Sequence, residues 1–409
     1  MMMKAYRIST NEPIAPFGDS ASDIPILNQP LSQVQVQTLE AAGFQLVDEP
    51  PVNEPYLLLS DRIWFTAELI RRMKSHRGQL SASDHTWSEG MHCLQSFQYN
   101  GCYELAMIEA GEPASFEALQ PLSFDWDLRD ADPMDLHPSM AHAQKNLRVG
   151  PCMVHQIHHW SHVLRVNQLA IANIGEEVRL QWKRANLFVR LWMIIGFLCR
   201  VRSFNRQKVL ARMGTVGKNC QIHPTAVIEA CHIGDNVVIG PYAVVRASVI
   251  GDGAKIEEYA TVNISSVGAE SRINRYALAN LCVLYDRVMI SHGCGYQGCV
   301  IGKDAFTAWD VTAIDLSFGK SIKVQHNGEW VDSGQHFLGA AIGHRAVLGN
   351  RVRINYGVSI PNDAVLVGPI DDMIRDASQA EPKRPYCVDG KGGVKPIGRG
   401  RPKQSDSGE

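Results

Sequence analysis

The sequence predicts an α/β N-terminal domain followed by a left-handed parallel β-helix of hexapeptide repeats. The main observation for the β-helix is an aliphatic residue followed by Gly that recurs every seventeen residues. A second is that each period divides into two units of six residues and one of five. A fixed period indicates one structural unit that stacks on copies of itself. The third observation is an alternation of predicted strands and helices before residue 175, which favours an α/β domain.

The register holds across six consecutive dipeptides. They are Val216-Gly217, Ile233-Gly234, Ile250-Gly251, Val267-Gly268, Leu284-Tyr285 and Ile301-Gly302. Three short strands per period form one triangular coil with the aliphatic side chains inside, and we expect roughly eight to nine coils. Gly or Asn residues that follow the aliphatic positions, such as Gly234 and Asn263, suit corner dihedrals that other residues resist.

The register is interrupted once. It returns at Ile342-Gly343, which lies 41 residues after Ile301. We interpret this interval as two further coils plus seven residues, so that a loop leaves the β-helix between about Ile314 and Val331.

Composition limits the partners and the compartment. With 40 Lys and Arg against 42 Asp and Glu, the formal net charge is −2, which gives no electrostatic case for nucleic acid. The ten cysteines show no paired CxxC spacing, and five fall in the repeat, where we expect small core residues of a reducing compartment. The first residues, Met1 to Arg7, lack the apolar core of a signal peptide, so we expect a cytoplasmic protein.

An apolar stretch, Leu187 to Cys199, precedes the first coil and is too short to span a bilayer. Basic residues flank it: Lys183, Arg184, Arg200, Arg202 and Arg206. We expect a helix that caps the open end of the β-helix, because solenoid ends need such a cap. The alternative is membrane contact by a basic helix within 187–206.

Four segments follow from these patterns. They are an α/β N-terminal domain (1–175), a helical linker or cap (176–212), the β-helix (213–368) and a mostly disordered C-terminal segment (369–409). In the first segment we expect a helix over 32–43 with Ser32 as its N-cap, strands at 44–47 and 56–59, and a helix over 67–75. Asp61 then follows a buried strand, at the sheet edge where open α/β folds bind ligands.

Three motifs in this domain carry a family resemblance: Pro25 to Leu31, Leu39-Glu-Ala-Ala-Gly43 and Leu57-Leu-Leu-Ser-Asp61. Their order resembles the sugar-1-phosphate nucleotidylyltransferases, many of which carry a left-handed β-helix behind the transferase domain. The bifunctional N-acetylglucosamine-1-phosphate uridyltransferases are an example from this hexapeptide-repeat superfamily. The stretch His159 to Asn167 is also similar to a segment near the end of that domain. The resemblance implies that Asp61 is a metal-binding carboxylate for Mg²⁺.

The phosphate-binding part of that family pattern is degenerate. Asn11 to Ser22 stands where the Gly-rich nucleotide loop is expected, and it offers one Gly with two Pro. Backbone amides of a Gly-rich turn are what hold phosphate. Asp23-Ile24 replaces the Lys expected before the Pro-Leu segment. Nucleotidyl transfer is therefore an alternative rather than the preferred function.

Four histidines cluster at the end of this domain. On a helix, His155 with His159 and His158 with His162 would form i, i+4 pairs that can hold zinc. We prefer a polar helix face to a metal site, because no Cys or carboxylate lies nearby to complete the shell.

Chemistry is expected on the β-helix. Hexapeptide acyltransferases work in clefts between the rods of a trimer and use a His as general base on the acceptor. We predict His292 or His344 as that base, acyl-CoA as donor and a homotrimer. Coils 267–315 also replace generic corner residues with polar ones that we expect to bind a sugar or sugar nucleotide. They are Asn274, Arg275, Tyr276, Asn280, Tyr285, Asp286, Arg287, Asp310 and Asp315.

Three functions remain open. The first is acyl transfer from a thioester to a sugar or sugar nucleotide. The second is nucleotidyl transfer that forms a nucleoside-diphosphate sugar. The third is a non-catalytic trimeric scaffold that binds a sugar nucleotide, which the degenerate phosphate loop favours.

Overall fold

The computed structural model describes most of the chain. Its residues are 2–82, 94, 95, 97, 99, 101–117, 119–123, 126–130, 148–201, 209, 213–368, 378, 380, 386–391 and 393–397. Two flanking residues of the predicted linker, Arg202 and Arg206, and the tail 398–409 lie outside the described residues.

The N-terminal domain is built on a six-stranded mixed sheet. Its strands, in spatial order, are Pro121–Leu122, Gly78–Ser81, Cys102–Ile108, Tyr56–Ser60, Met3–Ile8 and Phe44–Val47. The central strand Tyr56–Ser60 is buried along its whole length, which explains its run of consecutive leucines. The predicted strands at 44–47 and 56–59 are confirmed.

Shorter strands pair at the edges of this domain and beyond it. The pairs are Pro13–Ile14 with Asp19–Ser20, Pro25–Ile26 with Gln29–Pro30, Ile63–Phe65 with Val154–Gln156, Arg129–Asp130 with Arg148–Val149, and Tyr386–Val388 with Val394–Pro396.

Four α-helices and one 3₁₀ turn are present in the described residues. We label the helices α1 (Leu31–Ala41), α2 (Ala67–Met73), α3 (Trp160–Arg184) and α4 (Leu187–Val201); the turn is Ala21–Asp23. Helix α1 begins one residue before the predicted cap Ser32, and Pro30 is its N-cap residue.

The C-terminal half is a parallel β-helix, as predicted. Its first sheet contains Thr215–Val216, His232–Ile233, Val249–Ile250, Ser266–Val267, Val283–Leu284, Val300–Ile301, Ala341–Ile342 and Ser359–Ile360. Its second contains Gln221–Ile222, Val238–Ile239, Lys255–Ile256, Arg272–Ile273, Met289–Ile290, Phe306–Thr307, Val347–Leu348 and Val365–Leu366. Its third contains Val227–Glu229, Val244–Arg246, Thr261–Asn263, Leu278–Asn280, Gly295–Gln297, Thr312–Ala313 and Arg353–Ile354.

We predicted that the repeat glycines adopt corner dihedrals that other residues resist, and this prediction is wrong. Left-handed backbone occurs two residues after Gly217 and Gly234, at Asn219 and Asn236, and neither glycine has a positive φ. The repeat glycines instead permit close stacking of coils: a Cβ at Gly268 would lie 2.4 Å from the carbonyl carbon of Tyr285 in the next coil. Such an approach leaves no room for any side chain.

The size of the insertion also differs from the prediction. Val300–Ile301 pairs directly with Ala341–Ile342, so the interval holds one coil rather than two. The insertion is therefore 24 residues long, as 41 minus 17, instead of seven. It includes an antiparallel hairpin of Lys323–His326 and Glu329–Asp332. The seventeen-residue register could not distinguish one coil plus 24 residues from two coils plus seven, because the two differ by one full period.

Helix α4 does not cap the β-helix, contrary to the prediction. Its apolar side chains are exposed, and so is Val216 in the first coil, at 52%. The end of the β-helix is thus uncovered by the described residues.

Two hydrophobic cores meet along the β-helix. One lies inside the coils and runs from Cys231 to Ile360. The other belongs to the N-terminal domain and continues onto outward-facing residues of the first sheet, Val283, Val300 and Ala341. The N-terminal domain therefore packs on the outer surface of the later coils, and α3 contacts the same strands.

Candidate functional site

One corner of the β-helix carries a ladder of equivalent positions, one per coil. We call the corner ladder the set Lys218, Asp235, Asp252, Ala269, Asp286, Lys303, His344 and Asn362. A polar ladder side chain accepts a hydrogen bond from the backbone N–H of the ladder residue one coil earlier. Asp235 accepts from Lys218 at 2.6 Å, and Asp252 accepts from Asp235 at 2.7 Å. These bonds satisfy amides at the corner.

Two of the predicted site residues belong to this ladder. Asp286 accepts from the amide of Ala269 at 2.8 Å, and His344 accepts through Nδ1 from the amide of Lys303 at 2.8 Å. Both side chains therefore stabilise the corner of the β-helix, and this structural role is enough to explain why they are polar.

The segment 11–22, which stands where the nucleotide loop is expected, contacts the later part of the ladder. The ring of Phe17 lies 5.2 Å from Tyr285 and 5.3 Å from His344, measured between centroids. Asn362 donates from Nδ2 to the carbonyl oxygen of Phe17 at 2.6 Å. These contacts distinguish the later coils from those before residue 266.

His344 joins the two domains through both ring nitrogens. Because Nδ1 accepts from a backbone amide, the proton lies on Nε2, which donates to Asp19 Oδ2 at 2.9 Å. The side chain of His344 is 9% exposed and that of Asp19 is 30% exposed. In this arrangement His344 orients Asp19, and neither nitrogen is free to accept a proton from a substrate.

A second contact fixes the hairpin 25–30. Asn28 donates from Nδ2 to the carbonyl of Val267 at 2.8 Å and accepts through Oδ1 from the Ser266 hydroxyl at 2.6 Å. On the other side, Asn167 of α3 accepts from the amide of Leu27 at 2.8 Å. The Pro-Leu segment of the family resemblance is thus clamped between α3 and the β-helix.

A cavity of about 410 Å³ lies between these contacts. Its lining residues are Asp19, Asp23, Pro25, Asn28, Gln29, Pro30, Gly268, Leu284, Tyr285, Asp286, Lys303, His344 and Arg345. The volume falls in the range of small-molecule sites. The lining combines three carboxylates, two amides and two cations, which suits a polar ligand that carries an anionic group.

The two cations of the cavity differ in their partners. Arg345 makes a two-point ion pair with Asp363, at 2.6 and 2.7 Å. For Lys303, no ion-pair partner exists among the described residues, and its side chain is exposed to the cavity. Lys303 is therefore the cation best placed to meet an anionic ligand group.

Tyr285 supplies a neutral hydroxyl. Burial, together with the nearby Asp19 carboxylate, raises its pKa well above the usual value, so the phenol stays protonated.

Other predicted residues lie on a different corner. His292 contacts Trp309, with ring centroids 5.1 Å apart, and the exposed Tyr276 stacks on Tyr259 at 5.1 Å. Arg275 pairs with Glu258 at 2.7 Å. Asp310 follows Trp309 on this corner, and Asn274 is buried beside Arg275. This group is separate from the cavity lining.

The remaining predicted residues make bonds within the repeat. Asn280 donates to Gln297 Oε1 at 2.9 Å, and Gln297 donates to Asp315 Oδ2 at 2.6 Å. Burial raises the pKa of Asp315. Arg287 pairs with Asp304 at 2.6 Å. The residues of the predicted polar cluster therefore do not form one site. Of the predicted residues, Tyr285, Asp286 and His344 line the cavity.

Asp61 lies at the end of its buried strand, as predicted, and is 2% exposed. Its carboxylate accepts hydrogen bonds from the Thr10 amide at 3.0 Å, the Thr10 hydroxyl at 2.8 Å and the Ser9 hydroxyl at 3.1 Å. It fixes the turn after the first strand. Across the described residues, no group of three or more His, Cys, Asp or Glu side chains is arranged to hold a metal. Mg²⁺ at Asp61 stays a prediction.

The clustered histidines do not form a helix face, because α3 begins only at Trp160. His155 lies on a buried strand, and its ring is 5.1 Å from that of His162. His159 is the N-cap of α3 and donates from Nε2 to the carbonyl of Gln325 at 3.2 Å. These buried rings connect the N-terminal domain to the inserted hairpin.

Burial lowers the pKa of two of these histidines. For His158, burial and the nearby Arg62 guanidinium lower the pKa to about 3, and burial lowers that of His159 to about 3. Both rings are neutral at physiological pH.

Sequence reasoning missed Asp19, Asp23, Lys303 and Arg345. Lys303 and Arg345 share the register of Asp286-Arg287, so the repeat phase was a signal for both. Nothing in the sequence indicates Asp19, because its role depends on where residues 12–30 fold against the β-helix.

Residues 209–305 match the family model of the GMPPB C-terminal domain. This match confirms the recognition of the left-handed β-helix of nucleotidyltransferase-like proteins for that segment. No curated protein matches the chain.

Solved structures that match part of this chain include the following three. A hexapeptide transferase family protein from Anaplasma phagocytophilum is 18% identical, with 38% of this chain and 80% of that chain covered and a TM-score of 0.17. A putative acetyltransferase from Bacillus cereus is 15% identical, with coverage of 37% and 77% and a TM-score of 0.17. The polysialic acid O-acetyltransferase OatWY is 21% identical, with coverage of 47% and 92% and a TM-score of 0.16.

Proposed function

We propose that this protein is a hexapeptide-repeat transferase that binds a sugar nucleotide in the cavity between its two domains and acylates the sugar. The observation that carries the proposal is the cavity lining, which combines carboxylate and amide side chains with Lys303, a cation that has no ion-pair partner among the described residues. Phosphate oxygens need a cation, and sugar hydroxyls need acceptors and donors of this kind.

Each part of the ligand has a matching group in the lining. Lys303 and Arg345 would meet the diphosphate, while Asp23 and Gln29 would bind sugar hydroxyls.

Asp19 is the group that we assign as general base in acyl transfer. Its carboxylate faces the cavity, and His344 holds one of its oxygens by a hydrogen bond at 2.9 Å. The carboxylate would take the proton of the acceptor hydroxyl as that oxygen attacks the thioester carbonyl, and the thiolate would leave. An acyl-CoA donor and a homotrimer are parts of this proposal.

A non-catalytic sugar-nucleotide-binding scaffold is the second candidate. It is favoured by the engagement of both His344 nitrogens, which leaves that histidine without the free lone pair of a general base. Nucleotidyl transfer receives less support, because three hydrogen bonds already engage the Asp61 carboxylate.

The experiment combines a thermal-shift screen of nucleoside-diphosphate sugars with a thioester-release assay using acetyl-CoA. We expect at least one sugar nucleotide to raise the melting temperature, since a ligand that binds the folded state stabilises it. Asp19→Asn should abolish thiol release while the thermal shift remains. The control is Asp252→Asn, a carboxylate on the β-helix that lies outside the cavity.

Each other outcome has a distinct meaning. A thermal shift without thiol release for any common acyl-CoA would favour the scaffold. Mg²⁺-dependent release of pyrophosphate that disappears in Asp61→Asn would replace the proposal by nucleotidyl transfer. Loss of acyl transfer in His292→Ala but not in Asp19→Asn would move the site to the other corner.

A further inference from the structure

Helix α4 exposes an unusual amount of apolar surface. Its exposed large side chains are Leu187 (80%), Phe188 (77%), Val189 (46%), Leu191 (53%), Trp192 (72%), Ile194 (43%), Ile195 (41%) and Phe197 (39%). A contiguous apolar patch of this kind marks a surface that is covered by a partner.

The apolar residues surround α4 instead of lining one stripe. At 100° per residue, Leu187, Phe188 and Val189 point in three directions, and the next turn repeats the pattern. A helix that is apolar on all sides is normally buried on all sides. A flat protein contact covers one side only, whereas the apolar layer of a membrane surrounds the helix.

The length of α4 defines how it can enter a membrane. Its fifteen residues extend over about 22 Å, less than the hydrocarbon core of about 30 Å. None of the helices that the structure describes has the length and apolar character needed to cross a bilayer. Partial insertion from one side is the geometry that remains.

Charge complementarity identifies the kind of membrane. From Val178 to Ile228 the sequence contains no Asp or Glu. In the same stretch, Arg179 and Arg184 pair with Glu176 and Glu68. The other basic residues are Lys183, Arg190, Arg200, Arg202, Arg206, Lys208, Arg212 and Lys218. Basic residues on both sides of an apolar helix favour anionic headgroups. Two copies that met through α4 would instead bring like charges together.

The turn between α3 and α4 is held in a defined geometry. Arg190 donates to the carbonyls of Trp182 at 3.1 Å and Lys183 at 3.0 Å, and its guanidinium lies 5.7 Å from the Trp182 ring centre. Arg190 thereby satisfies the carboxyl end of α3 and fixes the direction in which α4 projects.

We propose that α4 is a membrane anchor that inserts partly into a bilayer rich in anionic lipids. This anchor is independent of the cavity function, and it would hold the β-helix and the cavity at the membrane surface.

The test is co-sedimentation of the full chain with vesicles of phosphatidylcholine and phosphatidylglycerol, compared with vesicles of phosphatidylcholine alone. We expect binding to the anionic vesicles to be at least tenfold stronger and to weaken with added salt. The double variant Phe188→Glu with Trp192→Glu should reduce binding by at least tenfold, because it places charges in the inserted helix.

A matched control uses the same residue types elsewhere. Phe318 and Trp330 are 80% and 59% exposed and lie in the β-helix insertion. That insertion contacts the first turn of α3, and α4 follows the last turn, about 37 Å away along the helix. The double variant Phe318→Glu with Trp330→Glu should bind vesicles as the original chain does.

Three results would overturn the proposal. The first is no sedimentation with either kind of vesicle. The second is equal loss of binding in the two double variants while both keep the original melting temperature. The third is a fall in molar mass, measured by light scattering, for the α4 variant only and without any vesicle binding, because that result would assign α4 to a contact between copies.

Discussion

The corner ladder is the same structure in two settings. In the early coils, Asp235 and Asp252 bond the preceding backbone amide and otherwise face solvent. In the later coils, Asp286 and His344 make the same bond, and both also line a cavity between the β-helix and residues 19–30. His344 is buried there, whereas Asp286 stays exposed. The repeat therefore sets the position of these side chains, and the N-terminal domain determines whether they can contribute to a site.

This difference explains why polar residues in a repeat are poor evidence of function by themselves. Asp252 and Asp286 are equivalent in sequence phase and in local bonding. Only the second borders a cavity that a ligand can fill. A test of function must therefore compare equivalent ladder positions inside and outside the cavity.

The largest expected effect concerns the core that both regions share. Ile273→Ala removes a fully buried side chain inside the coils and should lower the free energy of unfolding by about 2–5 kcal/mol. Leu278→Ala, at a position that is 37% exposed, should change it by less than about 1 kcal/mol. Chemical denaturation followed by circular dichroism measures both. Equal effects would mean that the coils lack a packed interior.

A second prediction places acid sensitivity where the N-terminal domain contacts the inserted hairpin. The pKa values of His158 and His159 are lowered to about 3, below the unfolded value near 6.5, so the unfolded chain binds more protons below pH 6.5. Stability should be constant above about pH 7 and decrease by roughly 1.4 kcal/mol per pH unit for each histidine below 6.5. At pH 5.5 the combined loss is roughly 2–3 kcal/mol.

Urea unfolding at pH 7.5 and 5.5 measures this loss. The groups that face His158 are Arg62, His155 and His326, all cationic when protonated, so none offsets its charging. His158→Gln should reduce the loss by about half, whereas His223→Gln, in an exposed early coil, should leave it unchanged. An unchanged loss in His158→Gln would place the acid sensitivity elsewhere.

A third prediction separates the two bonds of His344. In the variant His344→Asn, the new side chain should still accept from the Lys303 amide. Asn362, one coil later on the ladder, accepts from the His344 amide in this way at 2.7 Å. His344→Asn loses the bond to Asp19, and we expect a loss of about 1 kcal/mol in the free energy of unfolding. His344→Ala loses both bonds and should cost about 1 kcal/mol more. Urea unfolding of both variants checks this order, and identical losses would contradict two separate roles.

The sequence predicted the β-helix because its signal is local and repeated. Ile233, Ile250 and Val267 each occupy the same buried position in successive coils, so one misread residue does not change the result. The size of the insertion, the exposure of α4 and the surroundings of the buried histidines were predicted incorrectly, because each depends on contacts between distant segments. Phe17 and Asp19 meet His344 across more than 300 residues, and no local pattern encodes that contact.

The smallest expected effect concerns surface ion pairs. Glu229→Gln breaks the pair with Arg246, which is solvent-exposed in the early coils, and should change stability by less than about 0.5 kcal/mol. Asp363→Asn breaks the pair with Arg345 beside the cavity and should also leave the melting temperature unchanged. Only the second variant should alter sugar-nucleotide affinity, because it releases a cation that lines the cavity. A change in affinity with Glu229→Gln would contradict this distinction.

Calorimetric titration of a nucleoside-diphosphate sugar into two lysine variants tests the central claim most directly. Lys303 and Lys218 occupy the same ladder position five periods apart, and only Lys303 lines the cavity. We predict that Lys303→Ala weakens binding at least tenfold, while Lys218→Ala binds as the original chain does. Equal affinity in the two variants, or no binding by the original chain, would contradict the assignment of the cavity-lining ladder positions as the ligand site.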